Sequence, residues 1–431
     1  MSKEENRKNF SKYVSQNILG MIGFSCYVLA DSYFISIAKG ADGLTALNLV
    51  MPLYSIIFSI GEMIGVGSAI RYAISKIKKD ADADDYFWNA LIWCILSSML
   101  FVFAGIFFSA DIMRVLGADE HIVAVGNNYT KIFMCFAPMF MCNYVTNAFV
   151  RNDGAPGIAM SATLFSSLFN IVVDYILMFP MNLGMEGAAL ATALSPIIGM
   201  GICSIHFFSK KSSVRLVVCK PSVRKLVAGC QLGVSAFVGE MSSAVITLAF
   251  NFVILKLAGN VGVAAYGVVA NIAIVTTAVF NGVAQGSQPL ISSCFGRGDK
   301  DGCTQLKRMG YTTAFVLAAV MYSILFIFAG QFVAVFNSEG SEMLRLYATE
   351  GVKLYFIGIF FAGINIVGGG AFSATEDAFK AAVVSVARGF VLILGAVFVM
   401  SAFFGMTGVW LAYAVAEGIT TFIMLVMAMR V

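Results

Sequence analysis

The chain is a succession of apolar stretches, each long enough to cross a lipid bilayer. A spanning helix needs about 20 mostly apolar residues. The sequence divides into twelve such segments, at roughly 13–37, 44–74, 86–109, 122–150, 158–180, 185–208, 225–257, 262–294, 310–336, 345–374, 379–404 and 407–429. In hydrocarbon every backbone N–H and C=O must find its partner inside the protein, and a helix satisfies them within one segment. The pattern therefore predicts an all-α integral membrane protein with 12 transmembrane helices. Composition agrees: 59% of residues are hydrophobic and 12% charged, against about 25% charged in soluble domains. So little charge excludes a soluble enzyme, a nucleic-acid binder and a disordered chain. Segments longer than about 25 residues imply tilt or extension beyond the bilayer. Pro52, Pro138, Pro196 and Pro289 lie inside segments and mark bends.

Orientation follows from the lysines and arginines. With twelve spans, 22 of the 28 fall on one side: the groups Lys3–Lys12, Arg71–Lys79, Lys210–Lys225 and Arg297–Arg308, with Arg151, Lys380, Arg388 and Arg430. Lys39, Arg114, Lys131, Lys256, Arg345 and Lys353 fall on the other. The positive-inside rule places both termini in the cytoplasm of a multi-pass protein of the cell inner (plasma) membrane. The first apolar run continues past signal-peptide length without a small-residue cleavage site, and reads as a retained first helix.

Residues 209–225, SKKSSVRLVVCKPSVRK, carry six positive and no negative charges near the midpoint of the chain. They read as a cytoplasmic connector, with lipid headgroups as a further contact, between an N-terminal six-helix lobe (1–208) and a C-terminal one (226–431). The halves repeat. Residues 29–35 match 248–254 at a shift of 219, as do Gly40, Gly43, Ala46, Gly67 and Ser68 with Gly259, Gly262, Ala265, Gly286 and Ser287. Residues 184–193 match 405–414 at a shift of 221. An even number of helices gives both repeats one orientation, related by an axis along the membrane normal. Two such repeats around a cleft form an alternating-access carrier.

Charges inside the apolar segments are the candidates for function, because an ionised side chain at bilayer depth is costly and normally faces a cavity. Asp31 lies deep in the first segment. Asn170 and Asp174, four residues apart, share one face of the fifth. No lysine or arginine sits mid-segment in this half to pair with them. Desolvation and mutual repulsion then favour a shared proton or a bound cation. Oxygens from Asp31, Asn170, Asp174 and Thr192 suit a hard monovalent ion, H+ or Na+. The second half lacks the set, since Asp31 aligns with Phe250, and Asn170 and Asp174 with Val391 and Gly395. Its own deep acid is Glu240. Glu62 and Glu417 are further intramembrane acids, and Asn251, Gln285 and Gln288 are polar positions suited to a substrate or second cation site. Arg388, near the cytoplasmic end of its segment, is expected to snorkel. Nine cysteines form no C-x-x-C pair, and two histidines offer no metal set. No catalytic residue, resident cofactor or metal is expected.

Asn170-Ile-Val-Val-Asp174, Gly184-Met-Glu-Gly-Ala-Ala-Leu-Ala-Thr192, Asp31-Ser-Tyr-Phe, Gly65-Val-Gly67-Ser and Phe149-Val-Arg151-Asn-Asp153-Gly, in that arrangement, resemble the multidrug and toxic compound extrusion (MATE) family, bacterial multidrug-resistance type. The resemblance covers essentially the whole chain. It implies a V-shaped pair of six-helix lobes that exports organic cations against protons or sodium. It also implies an N-lobe cation site at Asp31, Asn170, Asp174 and Thr192, and a C-lobe carboxylate at Glu240. The aspartate that other members carry in the tenth helix is missing from residues 361–370, which puts a C-lobe sodium site of that type in doubt.

The expected function is therefore multidrug efflux by antiport, with small cationic, aromatic drugs or toxic metabolites as substrates. Membrane lipids surround the protein, which is expected to be monomeric and to bind no nucleic acid. The 23 methionines and 38 phenylalanines suit a promiscuous aromatic pocket, although most must face lipid or pack between helices. A flippase for a lipid-linked sugar or peptidoglycan precursor is the alternative, but its cleft would favour several basic residues for a pyrophosphate. A membrane-embedded prenyl transferase would need clustered carboxylates. The only dense cluster, Asp80, Asp82, Asp84 and Asp85, lies among lysines and reads as a solvated turn.

Overall fold

A computed structural model of the chain describes residues 3–336 and 341–429. Arg430, counted above with the cytoplasmic charges, lies outside them. Among the described residues the first half contains α1 (Lys3–Lys78), α2 (Asp85–Val115), α3 (Glu120–Cys135), α4 (Ala137–Asn152), α5 (Pro156–Met178) and α6 (Gly184–Phe207). The second contains α7 (Val223–Gly296), α8 (Lys300–Ile327), α9 (Ala329–Phe336), α10 (Glu342–Tyr355), α11 (Ile359–Ala374), α12 (Ala378–Val386) and α13 (Leu392–Met429). A 3-10 turn at Phe356–Gly358 joins α10 to α11, and a π-helical turn at Ala387–Val391 joins α12 to α13. Among the described residues nine helices are long and apolar enough to cross a membrane, or ten if α3 and α4, bent by 46°, form one span. That bend sits where α4 opens with a proline in its first turn, which removes a backbone donor and clashes with the preceding turn.

Three of the long runs are interrupted at single glycines: Gly40 (φ 59°, ψ −142°) in α1, Gly259 (φ 61°, ψ −157°) in α7 and Gly405 (φ 58°, ψ −137°) in α13. Side chains are sterically barred from this backbone region, so glycine is required. The consequence is visible in α7. Phe250 and Tyr266 stack with ring centroids 5.0 Å apart, whereas 16 residues of straight helix would separate them by about 24 Å. The chain therefore doubles back at Gly259. Gly40 and Gly259 are partners in the sequence repeat, as are Gly184 (φ 52°) and Gly405, so the repeat extends to backbone conformation.

Buried apolar residues sort largely by half. One cluster runs from Phe250 to Ala416 and takes in only Phe10 and Val14 from the first half. Another, from Ile35 to Ala189, lies wholly within the first half. The outer faces are apolar and exposed, as at Leu100, Phe103 and Phe107, which is the surface lipid requires. The halves meet by close backbone approach. A Cβ at Gly67 would lie 2.0 Å from the Gly229 carbonyl oxygen, and one at Gly286, its repeat partner, 2.7 Å from the Val14 Cα. Beside this contact Glu376 pairs with Arg71 and, at 3.3 Å, with Lys78.

The acidic turn at residues 80–85 is not simply solvated. Asp85 pairs with Lys225 and Asp84 with Lys76 at 2.6 Å, while Asp84 Oδ1 accepts from the Arg215 backbone N–H at 3.3 Å. Asp153, at the end of α4, accepts from the Ser213 N–H at 2.9 Å and the Tyr72 hydroxyl at 3.1 Å, and lies 2.8 Å from His206 Nε2. The carboxylates of two loops thus hold the basic connector against the first half.

Candidate functional site: an acidic cluster beside an aromatic cavity

Asp31 is carried by α1, Asn170 and Asp174 by α5, and Thr192 by α6. The approach of α6 to α5 depends on its small residues: a Cβ at Gly187 would lie 2.9 Å from the Leu177 carbonyl carbon. This brings Thr192 to Asn170. A carboxylate without a proton can only accept hydrogen bonds, so the Asn170 amide nitrogen belongs toward Asp174. In that orientation it donates to Asp174 Oδ2 at 3.1 Å, and its oxygen accepts from Thr192 N and Oγ1, each at 3.2 Å. Asp31 lies within electrostatic reach of Asp174. All four residues are buried. Asp31 Oδ1 and Asp174 Oδ1 have no hydrogen-bond partner. The arrangement is a buried, anionic oxygen set with spare acceptors, and its chemistry suits a proton or a small monovalent cation.

The phenols of Tyr27, Tyr54 and Tyr129 lie within electrostatic reach of Asp31 and Asp174. Tyr54 and Tyr129 are joined hydroxyl to hydroxyl, and Tyr54 stacks on Phe133 with centroids 3.7 Å apart. Sequence reasoning passed over these tyrosines because an aromatic in an apolar run usually packs or faces lipid. The usable signal was a polar tip that burial obliges to find a partner.

A cavity adjoins the cluster. Its wall includes Tyr27, Phe58, Glu62, Ser167, Ser195 and Glu240. Tyr27 is one turn from Asp31, Ser167 one turn from Asn170, and Ser195 one turn from Thr192. The cavity and the acidic cluster therefore occupy neighbouring turns of the same three helices. Glu62 and Glu240 act on each other electrostatically. Arg151, a buried cation, also lines the cavity; its Nη1 donates to Gln285 Oε1 at 2.6 Å, and Gln285 Nε2 donates to Glu62 Oε1 at 3.3 Å. Of the polar positions singled out in the sequence, Glu62, Glu240 and Gln285 face this cavity. Asn251 and Gln288 do not line it; Gln288 is buried beside Gly370.

In the second half Arg388 does not snorkel. Its guanidinium is forked onto Glu417, with Nη2–Oε1 at 2.6 Å and Nε–Oε2 at 3.2 Å. Asn365 Nδ2 donates to Glu417 Oε2 at 2.7 Å, and Thr421 Oγ1 donates to Asn365 Oδ1 at 3.0 Å. Glu417, Asn365 and Thr421 are buried, and the Arg388 side chain is 15% exposed. The π turn at Ala387–Val391 holds Arg388. Among the described residues no group of three or more His, Cys, Asp or Glu side chains is placed to hold a metal ion.

The MatE family model matches residues 17–176 and 236–399, one block in each half. The multidrug export protein MepA of Staphylococcus aureus (strain MRSA252) is 27% identical over 414 residues, covering 93% of this chain and 89% of that protein. The MepA of Staphylococcus saprophyticus is 26% identical over 409 residues with the same coverage. A solved structure of the outward-facing conformation of a multidrug resistance MATE family transporter of the MOP superfamily superposes with a TM-score of 0.92 at 20% identity, over 99% of this chain and 96% of that one. A MOP superfamily transporter from Pyrococcus furiosus, described as having a binding pocket of reverse polarity, superposes at 0.91, also at 20% identity, over 99% of this chain and 96% of that one. At these identities the structural likeness establishes the fold.

Proposed function

The chain belongs to the MatE family of multi-pass membrane transporters, and from that premise we propose that it is a secondary active multidrug exporter coupled to protons or sodium at Asp31 and Asp174. The observation that carries this reading is the pair of buried carboxylates, each with an unpartnered oxygen, one helical turn from an aromatic-walled cavity. Two such carboxylates in a membrane core cost about 2.5–3.5 kcal/mol each by insertion measurements. A role that requires the charge to be neutralised and released justifies that cost, and ion exchange is such a role. Flat cationic drugs suit the cavity, where Glu62 and Glu240 supply negative charge and Tyr27 and Phe58 supply ring faces. Homologues named for multidrug export support the substrate class.

The runs broken at Gly40, Gly259 and Gly405 count as two spans each in this reading and the bent pair α3–α4 as one, which with α2, α5, α6, α8 and the run Glu342–Ala374 gives twelve. Two lobes, 1–208 and 226–431, rock about the glycine-rich contact between them, joined by the basic connector on the cytoplasmic face of the plasma membrane. The flippase alternative is weaker, because the cavity has one cation, Arg151, and that cation is already bonded to Gln285.

Export follows if ion and drug stabilise opposite-facing states. A ligand that binds both states equally shifts neither. Purified protein in proteoliposomes, loaded with a fluorescent organic cation and given separate proton and sodium gradients, tests the proposal. Dye accumulation against its gradient under at least one of them is expected. No response to either, for any cationic dye, overturns it.

A further inference from the structure

The repeat gives each residue of the acidic cluster a counterpart in the second half, and those counterparts are not acidic: Phe250 for Asp31, Val391 for Asn170, Gly395 for Asp174 and Tyr413 for Thr192. Beside two of these counterparts lies an ion pair. Arg388 is three residues before Val391 and Glu417 four after Tyr413, so each lies about one turn from the position equivalent to a cluster residue. Both are one turn displaced toward the same end of the lobe. At this level the first half has Ser167 and Pro196, which line its cavity. The second half has instead a guanidinium bound to Glu417 through both Nη2 and Nε, with Glu417 further held by Asn365. Around it the space is filled by stacked rings, Tyr355 on Tyr413 with centroids 4.3 Å apart.

We infer that Arg388 is the resident cation of Glu417, a positioning residue that occupies this carboxylate permanently and so withholds it from ion coupling. The inference rests on the proposed ion site at Asp31 and Asp174. A buried carboxylate in the membrane must be matched by positive charge. In one half the charge comes and goes from solution. In the other it is tethered by three methylenes to the backbone and cannot leave. The π turn suits this role, since single-turn bulges of this kind are frequent at functional sites and Arg388 sits within this one. Among the described residues, the titratable side chains besides Arg388 that lie within electrostatic reach of Glu417 are Tyr355 and Tyr413. Neither supplies a cation, so without the guanidinium Glu417 has to draw its positive charge from solution.

The test measures thermal unfolding of purified protein in detergent as sodium replaces N-methylglucamine at fixed pH, and separately as pH is lowered. The background is Asp31→Asn, which silences the first half. In that background the ion response is expected to be small. Adding Arg388→Gln should restore one, with sodium or protons raising the unfolding temperature by roughly 2 °C or more. Adding Glu417→Gln as well should abolish it again, and Arg388→Lys should leave the background unchanged. Equal ion responses in Asp31→Asn with and without Arg388→Gln overturn the inference. So does an Arg388→Gln protein that is recovered in no sodium concentration or pH, because an external cation should then stand in for the guanidinium. A wild-type response in Asp31→Asn alone would instead defeat the N-terminal reading; comparing Arg388→Gln with and without Glu417→Gln would still report on the second half.

Discussion

Asp31 on α1 and Asp174 on α5 lie within electrostatic reach of one another inside the first half, and each keeps one buried carboxylate oxygen that accepts no hydrogen bond. Around them lie an amide, a threonine and three phenols, and among the described residues no ammonium or guanidinium is bonded to either. Contrast Glu417, whose oxygens are held by Arg388 and Asn365. The first arrangement can exchange its counter-charge; the second is closed.

Removing either first-half carboxylate should therefore uncouple export without unfolding the protein. An amide retains the volume and loses the charge that must be neutralised and released. Asp31→Asn and Asp174→Asn are each expected to lower gradient-driven dye export by about 10- to 100-fold, the range of typical coupling energies, at wild-type levels of membrane insertion. Efflux rates normalised to protein content in the membrane provide the check. Wild-type rates in both would reduce the pair to packing residues.

Because the cavity and the acidic cluster occupy neighbouring turns of the same three helices, ion and drug should compete. Raising proton or sodium concentration is expected to weaken drug binding in detergent, read by fluorescence titration. Asp31→Asn should remove that dependence. Glu240→Gln, which alters the cavity wall and spares the cluster, should mainly weaken the drug at every ion concentration. An ion dependence that survives Asp31→Asn and disappears with Glu240→Gln would move coupling to Glu240.

The two halves are latched at one end by Glu376 with Arg71 and Lys78. Partly exposed pairs of this kind contribute about 0.2–1 kcal/mol. Glu376→Gln should thus shift the population only about 1.4- to 5-fold toward the state open at that end. Gly233→Val should do more, since a Cβ at 233 would lie 2.0 Å from the Met63 carbonyl oxygen and no rotamer relieves a clash with backbone. Labelling of a cysteine introduced at Asn17, in the cavity wall, would report both. Rates unchanged from wild type in Gly233→Val would show that this contact is not part of the closed end.

The charge asymmetry predicts topology. A cysteine at Lys211, in the exposed connector, should react with an impermeant maleimide only after the membrane is opened, and one at exposed Asp111 should react in intact cells. The reverse pattern would invert the orientation and with it the direction of transport.

Much of this protein was legible in its sequence because the determining physics is local. A run of apolar residues must enter lipid whatever its neighbours do. A spacing of four places Asn170 and Asp174 on one face of any helix. A glycine where side chains are sterically barred, as at Gly40, Gly259 and Gly405, marks a break that composition already hints at. The repeat could be read for the same reason, since each half preserves its own local pattern. What the sequence could not determine are the pairings between distant positions. Arg388 reads as a snorkelling residue until packing brings Glu417, 29 residues away, onto its guanidinium. Arg151 meets Gln285 across 134 residues and Arg71 meets Glu376 across 305, from one half to the other. Whether a buried charge is spare or satisfied depends on such contacts, because the energy of a charge in a low-dielectric interior is set by what lies within a few ångströms of it. Only the tertiary structure decides which carboxylates have been left a free oxygen.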